Sequence, residues 1–203
     1  MNSPSSSRQR IIVGISGASG IVYGITALKQ LKQLGIETHL VVSKSAIVTL
    51  AHECDMKYAE LCALADVHYQ SADIGAAISS GSFRTLGMLV APCSIRTLGE
   101  ISTGVTSSLL SRAADVVLKE RRRLVLLVRE TPLHAGHLQS MLNVTQAGAV
   151  VMPPVPAFYA NPKTVQDIVD QTVGRALDLF GLDSGIQRWG EARLQLKRQF
   201  TPF

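Results

Sequence analysis

Gly14-Ile15-Ser16-Gly17-Ala18-Ser19-Gly20 closes the apolar run Ile11–Ile15 and opens a helical pattern. In that pattern Ile21, Ile25, Leu28, Leu31 and Leu34 recur at three- and four-residue spacing, and Gly35 stops it. An apolar strand, a turn of small residues and an amphipathic helix make the first half of a strand–helix–strand unit. Outward from this stretch the alternation continues. Further strands are expected at Thr38–Val42, Gly87–Ala91, Leu124–Val128 and Ala149–Met152, each apolar throughout, as strands covered on both faces are. Helical stripes run through Lys44 to Cys54, through Leu109, Ala113, Val116 and Val117, and from Val165 to Phe180. The fold class is therefore α/β, with a mainly parallel sheet between helical layers.

With 203 residues, 46% of them hydrophobic and 17% charged, the chain can bury a large core and is not a disordered polymer. No apolar run reaches the ~18 residues that cross a bilayer. The polar, Ser-rich start carries no secretory signal pattern, and Cys54, Cys62 and Cys93 suggest no disulfide framework, so a reduced, cytoplasmic location is expected. The net charge of +5 raises the question of nucleic acid. The longest basic cluster, Lys119-Glu120-Arg121-Arg122-Arg123, is broken by an acid and runs into a strand, and no aromatic platform accompanies it. Scattered arginines suit a small anion equally well. The organisation reads as an arm at 1–9, one domain at 10–192 and a tail at 193–203, with the segment after Gly181 loosely attached and carrying the single tryptophan, Trp189.

In a parallel sheet the loops after the strands share one edge, where open α/β folds bind ligands. These loops are Ser16–Gly20, Ser43-Lys44, Pro92-Cys93-Ser94, Arg129-Glu130 and Pro153–Pro156. The first suits a phosphate at a helix start or is a tight turn with a Ser cap. It is not the dinucleotide fingerprint, because Ser16 stands at the middle glycine, and it is not a Walker loop. Ser43 reads as an ordinary N-cap. In Ala91–Leu98, Ser94 and Thr97 suit a polar ligand, Arg96 suits an anion, and Cys93 reads as a small buried residue rather than a nucleophile. Gly81 and Ser82 form either a phosphate loop or a plain connection. Arg129 and Glu130 are an acid/base and anion site or a surface ion pair. His134 and His137 share a helix face at i,i+3 without an evident third metal ligand. Glu53 ends a helix, where the dipole disfavours a carboxylate. The lip Val151–Tyr159 is stiffened by prolines and ends in two aromatics.

Taken together, GISGASG (Gly14–Gly20), Val42-Ser43-Lys44, SSGS (Ser79–Ser82), PCSIRTL (Pro92–Leu98), RAADVVLKERR (Arg112–Arg122), LVLLVRETP (Leu124–Pro132) and PPVPAFY (Pro153–Tyr159) resemble the UbiX-type flavin prenyltransferases over residues 10–192. The resemblance implies a flavodoxin-like Rossmann three-layer sandwich assembled as a homododecamer. It implies reduced FMN as co-substrate and dimethylallyl phosphate as donor, with bonds formed at flavin N5 and C6 and no metal. It also implies a UbiD-type decarboxylase as recipient of the prenylated FMN. Gly17, Ala18, Ser19, Ser43, Ser94, Ile95, Arg96, Thr97 and Arg129 correspond to the FMN contacts. Arg96 departs from the Lys or small residue of other members, leaving a backbone contact as the correspondence. Tyr159 and Arg175 correspond to dimethylallyl phosphate contacts, and Lys119 and Arg112 to basic residues supplied across subunits. Glu53 and Glu130 correspond to the functional carboxylates, Trp189 to a C-terminal tryptophan, and Ser19 would hold the flavin edge. The alternatives are an FMN-dependent aromatic acid decarboxylase and a non-catalytic FMN-binding subunit of a decarboxylase complex. The related cysteine decarboxylases use an early catalytic His and an Asn motif where this chain reads Ala-Pro-Cys-Ser; His52, the nearest candidate, reads as structural.

Overall fold

The computed structural model describes residues 8–190. Its strands are β1 (Arg10–Ile15), β2 (Glu37–Val42), β3 (Val67–Tyr69), β4 (Gly87–Cys93), β5 (Arg123–Val128) and β6 (Val150–Val151). The helices are α1 (Ile21–Gln33), α2 (Lys44–Glu53), α3 (Tyr58–Cys62), α4 (Ile95–Thr103), α5 (Leu109–Lys119), α6 (Ala135–Gln146) and α7 (Val165–Asp178). The six strands form one all-parallel sheet in the order β3-β2-β1-β4-β5-β6. This is a flavodoxin-like α/β sandwich.

Two cores explain the uniformly apolar strands. Ile11, Val13 and Ile15 of β1 point into a core shared with α1 and α7, while Ile12 points into a second core shared with α4 and α5. Residues of opposite parity face opposite layers, and both layers are dry. Every residue of β4 is buried.

The strand β3 was not expected. Its sequence, Val67-His68-Tyr69, is short and half-buried at the sheet edge, so no apolar run announces it. The last strand is also shorter than expected, at Val150–Val151. Residues up to Gly190 are not loosely attached. Arg188 forms a bidentate pair with Asp178 of α7 at 2.6 and 2.8 Å, and the Gln171 amide donates to the Gln187 carbonyl at 2.8 Å. The arm falls mostly, and the 193–203 tail wholly, outside the described residues.

Gly24 sets how closely α1 lies on the sheet. A Cβ there would come within 2.5 Å of the Ala91 carbonyl oxygen and 2.6 Å of the Ile15 side chain. Gly24→Ala forces α1 outward and lowers unfolding free energy by about 1–3 kcal/mol. The expected readout is a lower urea midpoint with an unchanged slope at fixed protein concentration; an unchanged midpoint would mean that the helix shifts without cost.

Candidate functional site

The strand order reverses its direction of growth between β1 and β4, so the loops that follow these two strands open a crevice at the C-terminal edge of the sheet. Ser16 joins the two loops. Its backbone N–H and its hydroxyl both donate to the Pro92 carbonyl, at 3.1 and 2.9 Å, and its hydroxyl oxygen accepts from the Ser94 N–H at 2.7 Å. Ser16 is fully buried. Pro92 lacks an N–H, and the β4–β5 register shifts between Val90 and Cys93, which frees this stretch of β4 to turn toward β1. Gly17 follows Ser16 closely enough to Ser45 that a Cβ would collide with the serine side chain. Cys93 lies beneath the loop with no exposure, and burial pushes its thiol up to about 12, as an inert core residue.

On one side of this junction lies a cavity of about 270 Å³, walled by Ser43, Lys44, Ser94, Arg96, Thr97 and Ser108 among others. Three helices begin at its wall. Ser43 caps α2 by accepting from the Ala46 N–H, Ser94 caps α4 by accepting from the Thr97 N–H, and Ser108 caps α5 by accepting from the Ser111 N–H. Three helix N-termini, hydroxyl groups and two cations around one small space suit an anion. The acid in the wall, Glu100, is paired with Arg96 at 3.1 Å. Ser43 and Ser94 are thus both caps and candidate ligand contacts. Ser108 was not singled out from sequence, although Thr106-Ser107-Ser108 before an apolar stripe is a readable cap signal.

A second cavity of about 420 Å³ opens beside the junction, with Ser19, Tyr23, Arg129, Glu130, Pro154 and Val169 in its wall. Here the first loop departs from the expectation of a Ser cap. The residue before α1 is Gly20, in the left-handed conformation at φ 103°, and no side chain of the loop caps the helix. The cap comes from α2 instead. The Glu53 carboxylate accepts from Gly20 N–H at 2.9 Å and Ile21 N–H at 3.0 Å. The unfavourable end of one helix dipole therefore delivers its charge to the favourable end of another. Partial desolvation raises the Glu53 pKa, but the Ser19 hydroxyl, the two N–H groups and the Arg129 charge outweigh it, and the net shift is downward. Glu130, in the cavity wall, accepts from the following N–H, that of Thr131, at 3.0 Å. Arg129 is positioned by its own N–H, which donates to the Cys93 carbonyl at 3.0 Å.

The remaining expected site residues are not in these walls. Tyr159, Arg175 and Trp189 cluster around α7: the Tyr159 and Trp189 rings meet edge to face at 5.4 Å, and the Tyr159 hydroxyl accepts from Gln171 at 3.4 Å, one turn before Arg175. Trp189 is 79% exposed, so it covers little within one chain. Arg112 pairs with Asp115 on α5, and Lys119 pairs with Glu120 at the far end of that helix, next to the start of β5 and hence at the opposite edge of the sheet. The Ser79–Ser82 loop lies at that same edge, where Arg122 binds the Gly81 and Phe83 carbonyls; it is a braced connection within the chain. His134 is not on the helix with His137 but is the N-cap residue of α6. His52 is exposed on α2. Among the described residues no group of three or more His, Cys, Asp or Glu could hold a metal, and no helix is long and apolar enough to cross a membrane.

The Flavoprotein family matches residues 1–177. The flavin prenyltransferase UbiX of Escherichia coli K12 is 57% identical over 175 residues, covering 86% of this chain and 93% of that protein. This chain belongs to the UbiX flavin prenyltransferases. Among solved structures, AnUbiX (PadA1), crystallised with FMN and dimethylallyl pyrophosphate, superposes with a TM-score of 0.88 at 53% identity, covering 90% of this chain and 97% of that one. A dodecameric FMN-dependent UbiX-like decarboxylase from Escherichia coli O157:H7 superposes with a TM-score of 0.87 at 48% identity, covering 89% and 99%. A UbiX-type chain needs a receptor for one phosphate group beside a flavin-sized space. The triple helix start at Ser43, Ser94 and Ser108 and the neighbouring cavity fit FMN on both counts.

Because the folded-state pKa of Glu53 is lowered, its carboxylate adds stability that is present above the ordinary carboxylate range and is lost as pH falls through the folded value. Glu53→Gln is therefore expected to lower the urea midpoint at pH 7. The gap from wild type should close on acidification below about pH 4. A gap of equal size at both pH values would assign the effect to hydrogen bonding without charge.

Proposed function

We propose that this chain joins a dimethylallyl group from dimethylallyl phosphate to N5 and C6 of reduced FMN, releasing phosphate. The observation that carries the reading is the pairing of an anion receptor at three helix starts with an adjacent carboxylate-lined cavity, on a chain 57% identical to a UbiX flavin prenyltransferase. Reduced flavin supplies the electron-rich N5 and C6 that attack the allylic carbons. In this reading Gly17, Ala18, Ser43 and Ser94 to Thr97 hold FMN, with its phosphate at the helix starts. Arg129 and Ser19 hold the flavin edge beside the carboxylates.

The chemistry asks two things of the remaining side chains. The allylic C–O bond breaks, so the departing phosphate needs cations: Lys119, Arg112 and Arg175, with the Tyr159 hydroxyl, have the right character. Trp189 and the flavin face shield the allylic fragment while it carries positive charge. The N5–C bond replaces the C–O bond and N5 releases its proton, which leaves with the phosphate. As the far alkene carbon then bonds to C6, its neighbour takes up a proton and C6 gives one up, and Glu130, in the cavity wall, moves that proton. Within one chain Lys119 is at the wrong edge of the sheet, so the site we propose is completed by neighbouring subunits of a dodecamer. The product serves a UbiD-type decarboxylase. The three unbridged thiols of Cys54, Cys62 and Cys93 support a reducing, cytoplasmic setting.

Anaerobic incubation with reduced FMN and dimethylallyl phosphate, followed by mass spectrometry of the extracted flavin, is expected to give a species heavier by one five-carbon unit. Recovery of unaltered FMN from a binding-competent protein would overturn the reading in favour of a decarboxylase or carrier. The shared site has its own test. Glu130→Gln and Lys119→Ala subunits should each lose most turnover alone. Co-expressed, they should recover part of it, because some sites then draw both intact residues from different chains. Turnover no higher than in either parent would place Lys119 outside the site.

A further inference from the structure

The start of α6 holds a pair of histidines that the reading above does not use. His134 is the N-cap residue, in extended backbone at φ −114° and ψ 169°, and its Nδ1 accepts a hydrogen bond from the Gly136 N–H at 3.0 Å. Its ring lies against that of His137, with centroids 3.5 Å apart and planes tilted by 31°. His137 Nδ1 is buried without a hydrogen-bond partner, so the second ring is held by stacking and by its place on the helix. The intervening glycine is needed: a Cβ at Gly136 would lie 2.9 Å from Cε1 and 3.2 Å from Nδ1 of His134. The sequence His-Ala-Gly-His thus builds a cap in which an imidazole does what Ser or Asp does elsewhere.

This cap is close in sequence to the chemistry. Three residues, Thr131, Pro132 and Leu133, separate Glu130 from His134. At the near end the segment is tied to the sheet through the Arg129 N–H on the Cys93 carbonyl; at the far end it is tied to α6 through His134. Between these ties, the Thr131 N–H bonds the Glu130 carboxylate itself, and Thr131 stands in the cavity wall. The short segment that carries Glu130 is therefore tied at both ends, to the sheet and to the start of α6.

We infer that His134 is a positioning residue for Glu130, working only as a neutral imidazole; the inference rests on the function proposed above. A protonated ring has no lone pair at Nδ1, so it cannot accept from Gly136, and it places a cation at a helix N-terminus and against a second imidazole. Other ionisable groups come from the packed elements. α4, lying on α6, carries Arg96 and Glu100, which are paired with each other; the end of β5 carries Arg129 and Glu130; β6 carries none. Protonation of His134 thus releases the loop, and turnover falls on acidification through an acid limb that depends on this ring.

Two substitutions separate positioning from mere stability. His134→Asn keeps a capping acceptor without a titrating group; His134→Ala removes the acceptor. At pH 7.5, His134→Asn is expected to keep kcat within about twofold of wild type, and His134→Ala to lose roughly ten- to a hundredfold in kcat with little change in FMN affinity. On acidification the wild type should lose turnover while His134→Asn stays flat over that limb. Hydrogen exchange of peptides covering 131–141, corrected for intrinsic pH dependence, gives a readout independent of activity. Protection should fall on acidification in the wild type, stay constant in His134→Asn and be low throughout in His134→Ala. An acid limb that persists in His134→Asn, or full kcat in His134→Ala, overturns the inference. If wild-type protein makes no heavier flavin, the function proposed above fails, and pH-independent exchange in the wild type would then overturn the cap as a titrating device.

Discussion

The buried hydroxyl of Ser16 is the joint on which the site depends. It donates to the carbonyl of Pro92 and accepts from the N–H of Ser94, and so couples the end of β1 to the end of β4. These are the two strands between which the sheet changes direction, and their loops form the two sides of the crevice. Without the hydroxyl the Ser94 N–H would lose its partner, which costs about 1–3 kcal/mol, while the Pro92 carbonyl would keep the Ser16 N–H alone. The same residue accounts for the loop's departure from the dinucleotide pattern. A glycine at that place would let a pyrophosphate approach the backbone; a serine uses the space to brace the loop, and the side-chain caps stand instead at the starts of α2, α4 and α5.

Around that joint, charge is arranged by helix ends. Glu53 leaves the C-terminus of α2, where a carboxylate is unfavourable, and reaches the N-terminus of α1, where it is favourable. Ser19 and Arg129 meet the same carboxylate, so a residue of the first loop and a residue from the end of β5 are linked through it. Glu130 lies one position further along, and His134 fixes the start of the next helix. This edge of the sheet is thus a chain of caps. The rigid part is the sheet below it, whose central strands are buried on both faces.

Much of this was legible from sequence, for a physical reason. Strands buried on both faces must be apolar at every position, so four of the six strands, all but β3 and the two-residue β6, were found nearly to the residue, and their alternation with amphipathic stripes required a parallel sheet. A parallel sheet puts every strand-to-helix loop at one edge, which singled out a candidate site without any motif. The motifs then carried the family. β3 escaped because three half-buried edge residues need no apolar pattern. The attachment of residues 182–190 escaped because it rests on Arg188, Asp178 and the amide of Gln171 rather than on buried carbon.

What only the tertiary structure decided is which partner each polar group meets. Glu53 as a helix end and Ser16 as an odd residue in a glycine loop were both visible in the sequence, but their partners are 33 and 78 residues away. Periodicity reports which face of an element is dry; it holds no information about which distant N–H a carboxylate will reach. The same limit applies to Lys119, Arg175 and Trp189, whose residue types suit a departing phosphate or an allylic group and which are not among the residues lining the cavity. Chemistry can be read from residue types and sheet geometry from apolar pattern. Convergence of side chains depends on contacts between segments remote in sequence, and those form only when the layers pack.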